Sequence, residues 1–149
     1  QETAFDAERI RATGVRAVQV TTGKGCHLEA DMVQQGMRTL DPQQGILLIE
    51  NVGNLVCPAL FDLGENARVV LFSVTEGEDK PIKYPHMFRA AEIVIVTKID
   101  LIPHLDFDRR RALNAIREIA PDAEIIELSA RTGEGLQHWY DYLRSALPH

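Results

Sequence analysis

Four runs along the chain are dense in β-branched or leucine residues: 17–21 (AVQVT), 46–50 (ILLIE), 68–74 (RVVLFSV) and 92–97 (EIVIVT), with a fifth, 124–128 (EIIEL), near the end. Three are nearly continuous in hydrophobicity rather than alternating, the pattern of strands buried on both faces of a parallel sheet. Between them the spacing predicts helices over 6–13, 28–40, a proline-punctuated stretch 81–90, 108–119 and 135–147. In the last, Leu136, Trp139, Tyr140 and Leu143 recur at three- and four-residue intervals and form an apolar stripe. Strands alternating with helices predict an α/β fold, a mostly parallel sheet flanked by helices and joined by right-handed crossovers. Ligands of such a sheet collect where loops leave the carboxyl ends of the strands. There is no internal repeat and no low-complexity linker, so a single domain over 1–149 is expected.

Composition narrows the partners. At 149 residues and 45% hydrophobic, the chain can bury an ordinary core. Its 16 basic and 22 acidic residues give a net charge of −6 without a dense Lys/Arg run, which argues against nucleic acid. No apolar run approaches the ~20 residues of a transmembrane helix, and the opening QETAFDAERIRATG lacks the layout of a signal peptide. The expectation is a cytoplasmic protein with no membrane partner. Its two cysteines, Cys26 and Cys57, are read as free thiols or metal ligands rather than a disulfide framework. The first residue is Gln1, not Met, which points to a piece of something longer.

The chemically suggestive groups follow strands. After 92–97 the chain reads Thr97-Lys98-Ile99-Asp100. A carboxylate there can accept two parallel hydrogen bonds, and guanine offers a ring N–H beside an exocyclic amino group where adenine has no such pair. Asp100 would read guanine, and Lys98 could lay its apolar stem along the base. The bland alternative is an Asx-type turn ahead of Pro103. The fifth run leads into Ser129-Ala130-Arg131-Thr132-Gly133, whose backbone N–H groups could meet a guanine carbonyl, or simply cap the last helix. After 46–50, Glu50 is followed by Asn51-Val52-Gly53-Asn54. A carboxylate holding a Mg²⁺-bound water and a glycine N–H sensing a terminal phosphate suit a nucleotide switch. A turn closing a core strand, with Glu50 solvated, fits equally.

Taken together, DAERI (6–10), TTGKGCHLEA (21–30), IENVGNLVCPALFDLGE (49–65), SVTEGEDKPIKYPHMF (73–88), TKIDLIP (97–103) and SARTGEGL (129–136) resemble the hydrogenase nickel incorporation GTPases, the HypB family. The resemblance covers nearly the whole chain. It implies a P-loop GTPase-like fold in which GTP and Mg²⁺ govern a homodimer carrying Ni²⁺ or Zn²⁺ at its interface, serving the hydrogenase large subunit with accessory maturation proteins. It also implies that Thr97, Lys98, Asp100, Ser129, Ala130 and Gly53 bind nucleotide and that Asp6 and Glu50 serve the magnesium and switch region. Asp6 reads equally as the N-cap of a helix that stops at Gly14.

Within TTGKGCHLEA, Gly23-Lys24 is no phosphate loop. In Gly-x-x-x-x-Gly-Lys-Ser/Thr the first glycine would fall on Val18 and the hydroxyl residue on Gly25, so both fail. What remains is metal: Cys26 and His27, with Cys57 from the next loop, are soft or borderline ligands suited to Ni²⁺ or Zn²⁺. Three ligands leave a four-coordinate shell incomplete, and two copies about a twofold axis would double each ligand. Against this, Cys57 before Pro58 also fits a small buried hydrophobe, and His27 a surface residue opening a helix. His86, His104, His138 and His149 are scattered and receive no metal role.

Two departures from the family stand out. The 149 residues begin after the place where the family's strand and phosphate-holding Gly-rich loop are expected, and Thr97 stands where the family usually carries Asn. The expectation is therefore a GTPase parent with an inactive or very weak isolated chain, for which no catalytic side chain can be named. A non-catalytic metal-binding dimerisation module is the rival, and a nucleotide-independent α/β scaffold is a third reading.

Overall fold

The computed structural model describes residues 5–23 and 25–147; Lys24, on which the phosphate-loop comparison turned, lies outside the described residues, as do Gln1 and His149. The chain divides into two compact units, Gln1–Gly64 and Glu65–His149.

The second unit holds a three-stranded parallel sheet in the order β1-β2-β3, with β1 at Val69–Ser73, β2 at Ile93–Thr97 and β3 at Glu124–Glu127. Val69 is paired with Ile93 and Ser73 with Thr97, while Ile93 also faces Glu124 and Val96 faces Glu127. The central strand IVIVT is buried through Ile93, Val94, Ile95 and Val96, as a continuous apolar run requires. Strand β1 departs from that expectation. Paired along one edge only, it alternates, and Leu71 at its middle is 64% exposed.

Helices α3 (Lys80–Lys83), α4 (Pro85–Arg89), α5 (Arg109–Ile119) and α6 (Leu136–Ser145) surround this sheet. The proline-punctuated stretch forms two short helices because Pro81 and Pro85 each sit in a first turn, where a missing N–H costs nothing. Helix α5 starts where Asp108 accepts from the Arg111 N–H at 2.9 Å, and it buries Ala112, Leu113, Ala115 and Ile116. Leu136 and Trp139 of the expected α6 stripe pack against Ile93, Ile95, Ile126 and Leu128, but Tyr142 joins them in place of Tyr140, which is 44% exposed. Phe72 and Phe88, both fully buried, meet edge to face at 6.0 Å. Gly135 opens α6 with φ +74, and a Cβ there would fall 2.0 Å from the Glu127 carbonyl oxygen, so no other residue fits.

The first unit contains α1 (Phe5–Ala12), α2 (Ala30–Leu40) and a 3-10 turn at Cys57–Leu60. Helix α1 ends with Gly14 at φ +88, as anticipated, but Asp6 lies within its first turn rather than preceding it. The expected strands at 17–21 and 46–50 do not form. A strand exists only by pairing, and no ladder reaches either run among the described residues. Side chains hold the backbone here instead. Arg11 donates to the Ala17 carbonyl at 2.9 Å, and Arg16 donates to the carbonyls of Leu40 and Asp41 at 3.1 and 2.9 Å, satisfying the free end of α2. The apolar content of 46–50 stays largely in water, with Leu48 71% exposed.

Candidate metal centre

Two loops of the first unit converge on one point. The earlier one is a tight turn over 22–25: the Gly25 N–H donates to the Thr22 carbonyl at 2.9 Å, and the Thr22 hydroxyl donates to the Gly25 carbonyl at 3.1 Å. Gly23 takes φ +59, and a Cβ on Gly25 would lie 3.0 Å from the Thr22 oxygen, so both glycines serve the turn. The chain leaves it through Cys26 and His27 and enters α2 at Ala30. The later loop, 51–57, is built on two asparagines. Asn51 Oδ1 accepts from the Val52 N–H at 2.8 Å, and Asn54 Oδ1 accepts from Val56 and Cys57 N–H, both at 3.0 Å.

The same two amides join the loops. Asn51 Oδ1 also accepts from the Leu28 N–H at 3.0 Å, and Asn54 Nδ2 donates to the Cys26 carbonyl at 2.5 Å. Cys26 Sγ and Cys57 Sγ then lie 2.8 Å apart, with His27 Nδ1 3.5 Å from Cys26 Sγ. One ligand atom from each of Cys26, His27 and Cys57 falls within 4.8 Å of the others. Phe61, just past the 3-10 turn, stacks on the His27 ring with centroids 3.9 Å apart and planes 9° from parallel.

The electrostatics suit a cation. The Cys57 thiol beside it, and the His27 ring after that, hold Cys26 below the ordinary thiol value, whereas the neighbouring Cys26 sulfur pushes Cys57 up. A thiolate, the form that ligates metal, is therefore easier to reach at Cys26. Among the described residues, His27 Nε2 is buried with no hydrogen-bond partner, and Glu29 Oε1 lies 3.7 Å from it. An imidazole with Nδ1 beside the Cys26 thiol and a buried Nε2 facing a carboxylate, together with a second thiol, matches the donor set of a borderline-soft divalent metal.

The nucleotide candidates fall in two groups. In the second unit, Thr97 ends β2, Lys98 follows in the left-handed region at φ 61, and Asp100 lies in the first turn of a 3-10 helix at Ile99–His104. Ser129 and Ala130 leave β3 beside them, with the Ile99 N–H donating to the Leu128 carbonyl at 3.4 Å. All five therefore sit at the carboxyl ends of adjacent parallel strands. Ser129 is fully buried and organises its loop: the Thr132 N–H donates to its Oγ at 3.2 Å, and its own N–H donates to the Glu134 carbonyl at 2.9 Å. The half-buried Asp100 carboxylate makes no hydrogen bond or ion pair among the described residues. In the first unit, Asp6, Glu50 and Gly53 are exposed, and neither carboxylate joins the Cys26, His27 and Cys57 group.

Comparison with known proteins decides the family. The family model for the CobW/HypB/UreG nucleotide-binding domain matches residues 1–127. The crystal structure of hydrogenase maturation factor HypB from Archaeoglobus fulgidus superposes with a TM-score of 0.91 at 42% identity, over 99% of this chain and 72% of that one. The chain belongs to the HypB family. HypB from Helicobacter pylori, solved in complex with nickel, superposes with a TM-score of 0.92 at 38% identity, over 97% of this chain and 69% of that one. The hydrogenase maturation factor HypB of Azotobacter vinelandii is 57% identical over 144 residues, which is 96% of this chain and 48% of that relative. The chain thus spans about half the length of the curated HypB relatives it matches. Its parallel α/β sheet with flanking helices is the HypB fold. No helix among the described residues is long and apolar enough to cross a membrane.

Sequence reasoning missed Asn51, Asn54 and Phe61. A signal existed, since an asparagine three residues before a Cys-Pro pair is a usual Asx-turn residue. The partner across the gap, the Cys26 carbonyl, has no such signal.

Proposed function

We propose that the chain carries nickel for hydrogenase maturation, holding the ion as cargo on Cys26, His27 and Cys57, within a protein whose GTP binding and hydrolysis govern delivery. The observation that carries this reading is the convergence of three ligand atoms within 4.8 Å from side chains up to 31 positions apart. Family membership and the nickel complex of the Helicobacter pylori relative support it. Zn²⁺ fits the same donors, although Ni²⁺ favours a flatter arrangement. Three ligands fall short of four-coordination, so a second copy would complete the shell and make metal loading promote a homodimer.

Guanine would be read at the carboxyl ends of β2 and β3, with Asp100 accepting the base's two donors and the Ser129-Ala130 backbone meeting its carbonyl. Thr97 offers one hydroxyl in place of an amide, and Lys98 covers one face of the base. On family grounds, Asp6 and Glu50 are assigned to the magnesium and switch region and Gly53 to the nucleotide. The protein served would be a hydrogenase large subunit. Because the 149 residues contain no Gly-x-x-x-x-Gly-Lys-Ser/Thr, this chain alone should bind GTP weakly and turn it over poorly, leaving metal carriage as its own activity.

Calorimetric titration of Ni²⁺ into wild type and Cys57→Ala, with mass measured in solution, tests the reading. Expected is saturable binding with association in wild type, both lost in the variant. Identical affinity and mass in the two would exclude Cys57 from the site and remove the basis of the proposal.

A further inference from the structure

We infer that Asn54 is a positioning residue for metal capture, a single amide clip that sets the distance between the Cys26 and Cys57 thiols before any ion arrives. This rests on the metal-carrying reading above. Among the described residues its amide alone grips both ligand-bearing backbones at once: Nδ2 donates to the Cys26 carbonyl at 2.5 Å, while Oδ1 accepts from the Cys57 N–H at 3.0 Å. Each cysteine is therefore held through its own peptide group, and the two sulfurs lie 2.8 Å apart. A third bond, from the Val56 N–H to Oδ1 at 3.0 Å, fixes the amide plane so that donor and acceptor cannot trade places without loss.

The consequence follows from the cost of ordering. Loops 22–27 and 51–57 belong to distant parts of the sequence, and freezing them only when the ion binds would subtract their lost conformational freedom from the affinity. Outer partners that orient ligands commonly influence metal affinity by about 10–100-fold. Asn51 makes a parallel link, to the Leu28 N–H, but it reaches neither cysteine backbone. It should therefore hold the loops near each other when Asn54 is altered, without setting the thiols.

Two substitutions separate the clip from a general loop effect. Asn54→Ser keeps a short side-chain acceptor for the turn but loses the amide N–H that reaches the Cys26 carbonyl while Oδ1 holds the turn, whereas Asn54→Ala loses both. The probes are Ni²⁺, followed by calorimetry and by the thiolate-to-nickel charge-transfer band, and phenylarsine oxide, which captures closely spaced dithiols without any metal. Gln43→Ala, which removes a surface amide bonded to Asp41, is the control. Expected is a nickel affinity about 10–100-fold lower in both Asn54 variants, a weakened charge-transfer band, slower arsenical capture, and unchanged helix content and behaviour in the control. In a Cys57→Ala background the Asn54 change should have no further effect on residual nickel binding, which a general loosening of the fold would not reproduce. Wild-type arsenical capture and nickel affinity in both variants would overturn the inference, as would an equal loss in Gln43→Ala. If wild type captures the arsenical in an Asn54-dependent way but binds no Ni²⁺, the positioning role stands and the nickel-carrying reading fails.

Discussion

The two units of this chain reach order by different means. In Glu65–His149 a sheet does the work: β2 is buried along its length, and Phe72, Phe88, Ile116 and Ile126 close around it. In Gln1–Gly64 only Ala7, Leu28, Val33 and Pro58 are buried among the described residues, and there is no strand. What holds this first unit is largely polar: arginines on free carbonyls and two asparagine amides bridging loops. A core formed by area is indifferent to the identity of any one hydrogen bond, whereas a site formed by amides depends on each. The unit with the smaller core is the one that brings ligand atoms to within a few ångströms of each other.

The contrast can be tested hardest through the core. Phe72→Ala should cost about 3–5 kcal/mol in chemical denaturation, whereas Leu48→Ala, at a position 71% exposed, should stay within about 0.5 kcal/mol. Equal losses at the two positions would mean the first unit depends on apolar burial as much as the second. Gly135→Ala comes next. Its Cβ would strike the Glu127 carbonyl at a positive φ, so a loss of roughly 1–3 kcal/mol is expected in the same measurement. An unchanged midpoint would show that the turn into α6 relaxes freely.

The smallest effect concerns protons in the metal-free protein. Cys26 is held below its ordinary value of 9.0 chiefly by Cys57, so its thiolate should persist to lower pH and its alkylation midpoint should fall below 9.0. Any stability this shift confers is present above the unfolded thiol's value and is lost as pH falls through the lowered one; the raised Cys57 acts in the opposite sense. In Cys57→Ala the Cys26 midpoint should move upward toward 9.0 as its main partner disappears. A midpoint that stays put would place the cause elsewhere than the thiol pair.

Much of the second unit was legible beforehand because its strands carry their burial in their composition. IVIVT can be nothing but a central strand, and the Leu136, Trp139 and Tyr140 spacing announced a helix, although the core took Tyr142 and left Tyr140 44% exposed. The first unit was read less well for the same physical reason. AVQVT and ILLIE have the residue types of strands, but a strand is a relation between segments, and no ladder reaches these two among the described residues.

At the candidate metal centre, residue chemistry by itself determined which atoms were worth watching: adjacent Cys26 and His27, and a second thiol at Cys57, are soft or borderline donors wherever the chain puts them. The turn glycines before Cys26 were equally legible, since their freedom is local. Only the tertiary structure decided that Cys57 lies 2.8 Å from Cys26, that Phe61 covers the His27 ring, and that Asn54 holds both cysteine backbones. Composition and spacing constrain a residue and its near neighbours, but a hydrogen bond from Asn54 to the carbonyl of Cys26 spans 28 positions. It exists because two loops were brought together by everything around them.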